Sequence, residues 1–188
     1  AQGALARTLL DLGEKKAALT TLESALASGV DEGGRLTAAM VLLDSGNEER
    51  ARAIAAELGK LLQPEPQAYA KLIEGAIALK RKDFAGAVGR FHEAQASLDT
   101  WIGHVLLGRA YLEAGQFTEA HSEFDLCLQR RGEAFSVFLD DLPTLRYLPQ
   151  IHYYLGRAQE GLKIPAAKES YKKYLEIKIL AAGDPMVE

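Results

Sequence analysis

The sequence predicts an all-α repeat fold, and three observations carry that expectation. Alanine and leucine dominate the chain and β-branched runs are few, which favours helix over strand. Small or apolar residues recur at spacings of four and then three: Ala18, Leu22, Ala25; Ala51, Ala55, Leu58; Ala87, Phe91, Ala94; Ala120, Phe124, Cys127; and Ala167, Tyr171, Tyr174. Such spacings put each set on one face of a helix. Twelve residues before each of the first four leading alanines stands another small residue, namely Ala6, Ala39, Gly75 and Gly108. In the fifth set the interval is eleven, from Gly156 to Ala167, so its inter-helix turn is expected to be one residue shorter. One register shared by five helix pairs marks an internal repeat whose units bury their apolar stripes against one another.

Taken in order, the units are expected at about 1–29, 30–63, 67–99, 100–131 and 147–180, with an insertion at 132–146. Asp11-Leu12-Gly13-Glu14 and Asp44-Ser45-Gly46-Asn47 lie 33 residues apart, each with a glycine suited to a left-handed residue after a helix end. The third unit has Lys82-Asp83 there, with Asp83 placed to cap the next helix. Gln63-Pro64-Glu65-Pro66 rules out a continuous helix and reads as a longer inter-repeat turn, with a domain linker as the alternative. In the insertion Phe135, Phe138, Leu139 and Leu142 fall at helical spacings before Pro143. This is either a short helix covering apolar surface or a flap that touches a ligand.

The fourth unit reads His104-x2-Leu107-Gly108-x2-Tyr111, then Ala120-x3-Phe124. It resembles the tetratricopeptide repeat, with pattern W-x2-L-G-x2-Y followed by A-x3-F and a closing Pro; here His104 replaces the Trp and Gly132 stands near the Pro. The resemblance implies a right-handed α-solenoid of about five such pairs, with a short helical insertion before the last. It further implies a concave groove lined by the first helices, in which a peptide or helix of a partner protein lies. Carried over by register, the groove residues are Met40, Tyr69, Leu72, Ile102, Val105, Arg109, Leu112, Tyr153 and Arg157. Leu36, Leu72 and Val105 occupy positions where chaperone-binding members carry a basic clamp, so that ligand is not expected. Self-filling of the groove and self-association into a homo-oligomer are the alternatives to partner binding.

A second resemblance spans about 130–162: Arg130-Arg131-Gly132-Glu133-Ala134, Phe138-Leu139-Asp140-Asp141-Leu142-Pro143-Thr144 and Tyr153-Tyr154-Leu155-Gly156-Arg157. These are similar to the repeat region C-terminal to kinase domains in some bacterial serine/threonine protein kinases. The implied setting is the regulatory arm of a bacterial, cytoplasmic signalling protein. No kinase motif is present, so no kinase activity comes with the likeness.

Composition excludes several classes. A net charge of −4 without a long basic run argues against nucleic acid, whose affinity rests on phosphate neutralisation. No uninterrupted apolar run is long enough for a membrane span. The one cysteine, Cys127, excludes an internal disulfide framework. A start at Ala1-Gln2-Gly3 and the helix-start signature Asp184-Pro185 both suggest a piece of a longer chain.

Catalytic patterns are missing: no phosphate loop, dinucleotide fingerprint, zinc-protease helix or nucleophile elbow occurs. His92-Glu93 is followed by Ala96 where a zinc helix needs its second histidine, and Cys127 continues the core stripe of Ala120 and Phe124. No metal and no cofactor are expected. An enzymatic site would have to be assembled from Asp140, Asp141 and His152, and adjacent carboxylates point apart rather than converge. The chain is therefore expected to be non-enzymatic.

Overall fold

The computed structural model describes residues 2–135 and 144–178. Among them are ten α-helices and no strands: α1 Gln2–Asp11, α2 Lys15–Ser28, α3 Glu32–Asp44, α4 Glu48–Leu58, α5 Pro64–Lys80, α6 Phe84–Ser97, α7 Trp101–Glu113, α8 Phe117–Gln129, α9 Leu148–Gly161 and α10 Ala167–Lys178. They form consecutive antiparallel pairs, five in all. Two compact units result, described over 2–99 for the first, and over 100–135 and 144–178 for the second. In the first unit α3 packs against α1, α2, α4 and α5; in the second, α9 packs against α7, α8 and α10. α3, α5 and α9 thus each meet their own second helix, the second helix of the preceding pair in their unit and a neighbouring first helix.

The crossings inside the pairs are set by residue size. A Cβ added at Gly75 would lie 2.4 Å from the Phe91 ring, and at Gly108 or Gly156 it would lie 2.7 Å from the rings of Phe124 or Tyr171. No side chain fits there without displacing a ring, which is why hydrogen stands at these positions. In the first two pairs the small residue is Ala6 or Ala39, and the residue sixteen positions on is Leu22 or Ala55, all buried.

Helix ends follow from local chemistry. All five inter-helix turns carry the paired bonds that let a left-handed residue satisfy the last carbonyls of a helix. In the first, Gly13 N–H donates to Leu10 C=O and Glu14 N–H to Leu9 C=O, at 3.0 and 2.8 Å. Gly13, Gly46 and Gly115 take the left-handed residue in three turns, with φ of +81°, +85° and +75°. Lys82 and Lys163 take it in the other two, at +64° and +59°, although neither is a glycine. Asp31, Asp83 and Thr100 cap α3, α6 and α7 by accepting from the N–H of Gly34, Gly86 and Gly103. Between α9 and α10 five residues, 162–166, separate the helices against three in the other pairs, so the turn is not shorter. The register loses its one residue where Ala167 N–H donates to Ile164 C=O, a tight three-residue step, at 3.2 Å.

Two expectations are corrected or displaced. The connection before α5 is longer, five residues at 59–63 against three before α3 and three before α7, but the prolines are not in it. Both sit in the first turn of α5, where a missing N–H has no helical partner to lose. α5 is the longest of the ten at 17 residues. Around the insertion, short 3-10 turns occur at Arg131–Ala134 and Leu145–Tyr147. Phe138, Leu139, Asp140, Asp141, Leu142 and Pro143 lie outside the described residues, as does Asp184-Pro185.

Candidate partner-binding face

Packing consumes much of the stripe that the sequence assigns to a groove. In the first unit Leu72 is fully buried and Tyr69 is 6% exposed, its hydroxyl donating to Glu65 Oε1 at 2.8 Å. Burial, then the Glu65 carboxylate, hold that phenol above its ordinary pKa. In the second unit Val105 is fully buried, and Ile102 and Leu112 are nearly so. These side chains hold helices together and offer no free surface. Apolar periodicity marks the inward arc of a helix but not how many neighbours cover it.

Met40, Arg109, Tyr153 and Arg157 keep partial exposure. Met40, Arg109 and Arg157 each follow directly on the small crossing residue of their first helix, Ala39, Gly108 or Gly156, so they share one angular position in the repeat. Arg7, after Ala6, is the fourth of this kind.

In the second unit this strip borders an aromatic cluster. Tyr154 stacks on Phe124 with centroids 5.6 Å apart, and Tyr153 stands 5.7, 5.9 and 5.6 Å from Tyr154, Tyr171 and Tyr174. The Arg109 guanidinium lies over the Tyr154 ring, its Cζ 5.5 Å from the centroid, an attraction between cation and ring face. Arg157 Nη1 donates to Glu113 Oε1 at 2.8 Å, joining α9 to α7. The Tyr171 hydroxyl donates to Glu160 Oε2 at 2.8 Å, and burial together with that carboxylate pushes it up to about 12. Tyr154 and Glu113 are not among the groove residues assigned from sequence. The cue for Glu113 was present, since a carboxylate one turn beyond Arg109 points along the same face.

The residues weighed for chemistry are placed as follows. His104 Nδ1 is 2.6 Å from Glu123 Oε2, and its Nε2 is 3.0 Å from Arg130 Nη1. A guanidinium has only donors, so Nε2 accepts from it and Nδ1 donates to Glu123. Glu93, beside His92, pairs with Arg90 and Lys71, which hold its carboxyl below the usual range. Cys127 is fully buried, its thiol pushed up by burial, and its carbonyl accepts from Trp101 Nε1 at 2.9 Å. Among the described residues no three His, Cys, Asp or Glu side chains gather as a metal site requires. Asp140 and Asp141 lie outside the described residues, so the grouping with His152 has no described geometry. No described helix is long and apolar enough to cross a membrane.

Comparison with known proteins agrees with this architecture. A family profile described as tetratricopeptide repeat matches residues 1–24 and 101–125, the first pair and the fourth. No curated protein matches the chain. Two crystal structures of nearly identical TPR-like repeats from Podosopora anserina, assigned to a kinesin light chain, share its fold. One, a point variant, has a TM-score of 0.57 at 16% identity, covering 95% of this chain and 93% of its own. The other has a TM-score of 0.55 at 16% identity, covering 97% and 95%. Repeat register, ring-on-glycine crossings and both likenesses converge on an all-α repeat fold of the tetratricopeptide type, with the family's own profile matched in the first pair and the fourth.

Proposed function

We propose that this chain is a protein–protein interaction module which binds a peptide or helix of a partner along the faces of its first helices. The observation that carries the reading is the strip after each crossing residue. Met40, Arg109 and Arg157 remain partly exposed where the flanking apolar residues are buried. In the second unit the strip runs beside Tyr153 and Tyr154, and exposed arginine next to aromatic rings is the composition of binding hot spots. Tetratricopeptide repeats are generally non-catalytic and generally bind proteins, which supports the same reading. The likeness of 130–162 to the repeat region beside bacterial kinase domains supports a regulatory arm of a cytoplasmic signalling protein as its setting.

The test is panning of a random peptide library against the chain, with the double variant Arg109→Ala, Arg157→Ala as counter-screen. Enriched peptides should bind the wild type and lose affinity for the variant. The variant itself should lose less than about 1 kcal/mol of stability, because both contacts are partly solvated. Absence of any enriched peptide, or equal binding to the variant, rejects the face. Light scattering distinguishes self-association, which would show as a dimer abolished by the same two substitutions.

A further inference from the structure

Arginines at one position of the repeat have different partners, and the difference points to a ligand chemistry. Arg7 of α1 pairs with Asp11 of its own helix and with Asp44 near the end of α3, the next first helix. Arg157 of α9 pairs with Glu113 at the end of α7. Asp44 stands four residues after Met40, and Glu113 four residues after Arg109, so the two acids are themselves equivalent. In both units a carboxylate at the end of one first helix neutralises an arginine on its neighbour.

Arg109 breaks the rule. The residue of α9 equivalent to Asp44 is Gly161, four positions after Arg157. No carboxylate among the described residues pairs with Arg109, whose guanidinium lies over the Tyr154 ring. The vacancy is enforced by packing. A Cβ at Gly161 would lie 2.5 Å from the Phe117 ring, so no acid fits where Asp44 serves Arg7. Phe117 on α8 therefore requires a glycine on α9, and that glycine deprives Arg109 of an internal acceptor. Since Arg157 and Glu113 cancel, the strip of the second unit keeps the net positive charge of Arg109.

We propose that Arg109 receives an aspartate or glutamate side chain of the bound partner, in the role that Asp44 plays for Arg7. The proposal rests on the binding reading above and names the chemistry of its ligand. The planar guanidinium presents paired N–H donors that match a carboxylate edge, and its attraction to the Tyr154 ring face holds it at the surface. A partner segment is thus selected for an internal acidic side chain at this position, next to groups that pack on Tyr153.

The test uses an arrayed library of short peptides with amidated C-termini, each made as a Glu and Gln twin, against the full chain. The wild type should favour Glu members by about two- to fivefold, the size of a partly exposed ion pair. Added salt should reduce that preference. Arg109→Met, which keeps the stem over Tyr154, should abolish it; Arg109→Lys should retain part of it. Thermal melts of each variant confirm folding. Peptides that bind with no Glu preference, or with one that survives Arg109→Met, overturn the proposal but leave the interaction module standing. So does binding that appears only when the same peptides are remade with a free C-terminal carboxylate. If no peptide binds at all, module and proposal fall together.

Discussion

The first two helix pairs of the first unit and the two pairs of the second solve the same crossing with opposite divisions of volume. Early in the chain, Ala6 is matched with Leu22 and Ala39 with Ala55; in the second unit Gly108 is matched with Phe124 and Gly156 with Tyr171. Where the second helix brings a ring, the first helix gives up its Cβ. Ala6 with Leu22 fills nearly the same combined volume as Gly108 with Phe124 or Gly156 with Tyr171, whereas Ala39 with Ala55 fills less. The exchange therefore operates where the second helix brings a large residue, as expected of an interior near close packing. The choice has a further effect in the second unit, where rings at the crossing extend outward. Phe124 stacks on Tyr154, which carries Arg109, so the larger core residue supports the exposed face.

The largest effects should come from breaking that exchange. Gly108→Ala places a Cβ against Phe124 and should cost about 1–3 kcal/mol, and Gly108→Leu the upper part of that range or more. Phe124→Leu alone empties the crossing and should cost about 1–3 kcal/mol. Together, Gly108→Ala with Phe124→Leu recreates the Ala6 and Leu22 arrangement. The double variant should therefore lose at least about 1 kcal/mol less than the sum of the singles. Chemical denaturation of the four proteins measures this coupling. Strict additivity would mean that volume is not exchanged across this crossing.

The crossings were legible in the sequence because they depend on residue size at a fixed interval, and Gly75, Gly108 and Gly156 announce themselves in that register. The turns at Gly13 and Gly46 were legible because glycine takes the left-handed conformation without strain. Pro64 and Pro66 misled, since a proline that forbids a helix interior is welcome in its first turn. The binding face was legible only in part. The pattern selected Leu72 and Val105 as readily as Arg109, because coverage by neighbouring helices is a tertiary property that no single stripe encodes. Arg109 and Arg157 look equivalent in one dimension. Only the distant pairing of Arg157 with Glu113, and the ring of Phe117 over Gly161, tell them apart.

A smaller effect separates turns within each unit. Gly13, Gly46 and Gly115 have open space where a Cβ would go, so replacing them costs backbone strain alone. Lys82 and Lys163 already bear that strain, which is roughly 1 kcal/mol for a residue with a Cβ. Lys82→Gly and Lys163→Gly should each stabilise by up to about 1 kcal/mol, less the added freedom of glycine in the unfolded chain. Gly115→Ala should lose a similar amount. The measurement is the urea midpoint at unchanged slope. Destabilisation by Lys82→Gly would show that its side chain contributes more than its backbone costs.

The smallest effect distinguishes two histidines one repeat apart in the second unit. His104 uses both ring nitrogens, on Glu123 and Arg130. At His152 the place of Glu123 is taken by Ser170, whose hydroxyl donates to Gln159 Oε1 at 2.7 Å instead. His152 Nδ1 is left buried without a partner among the described residues. Burial, and secondarily Lys173, hold its pKa below 6.5. The unfolded chain therefore takes up this proton more readily than the folded one. The contribution of neutral His152 is complete above pH 6.5 and declines as pH falls through that value towards its folded pKa. Melting temperature should accordingly drop between neutral and mildly acidic pH. His152→Gln, which cannot titrate, should flatten that part of the slope while leaving the fall at lower pH, where paired carboxylates such as Glu23 and Glu48 become protonated. An unchanged slope in the variant would place the acid sensitivity elsewhere.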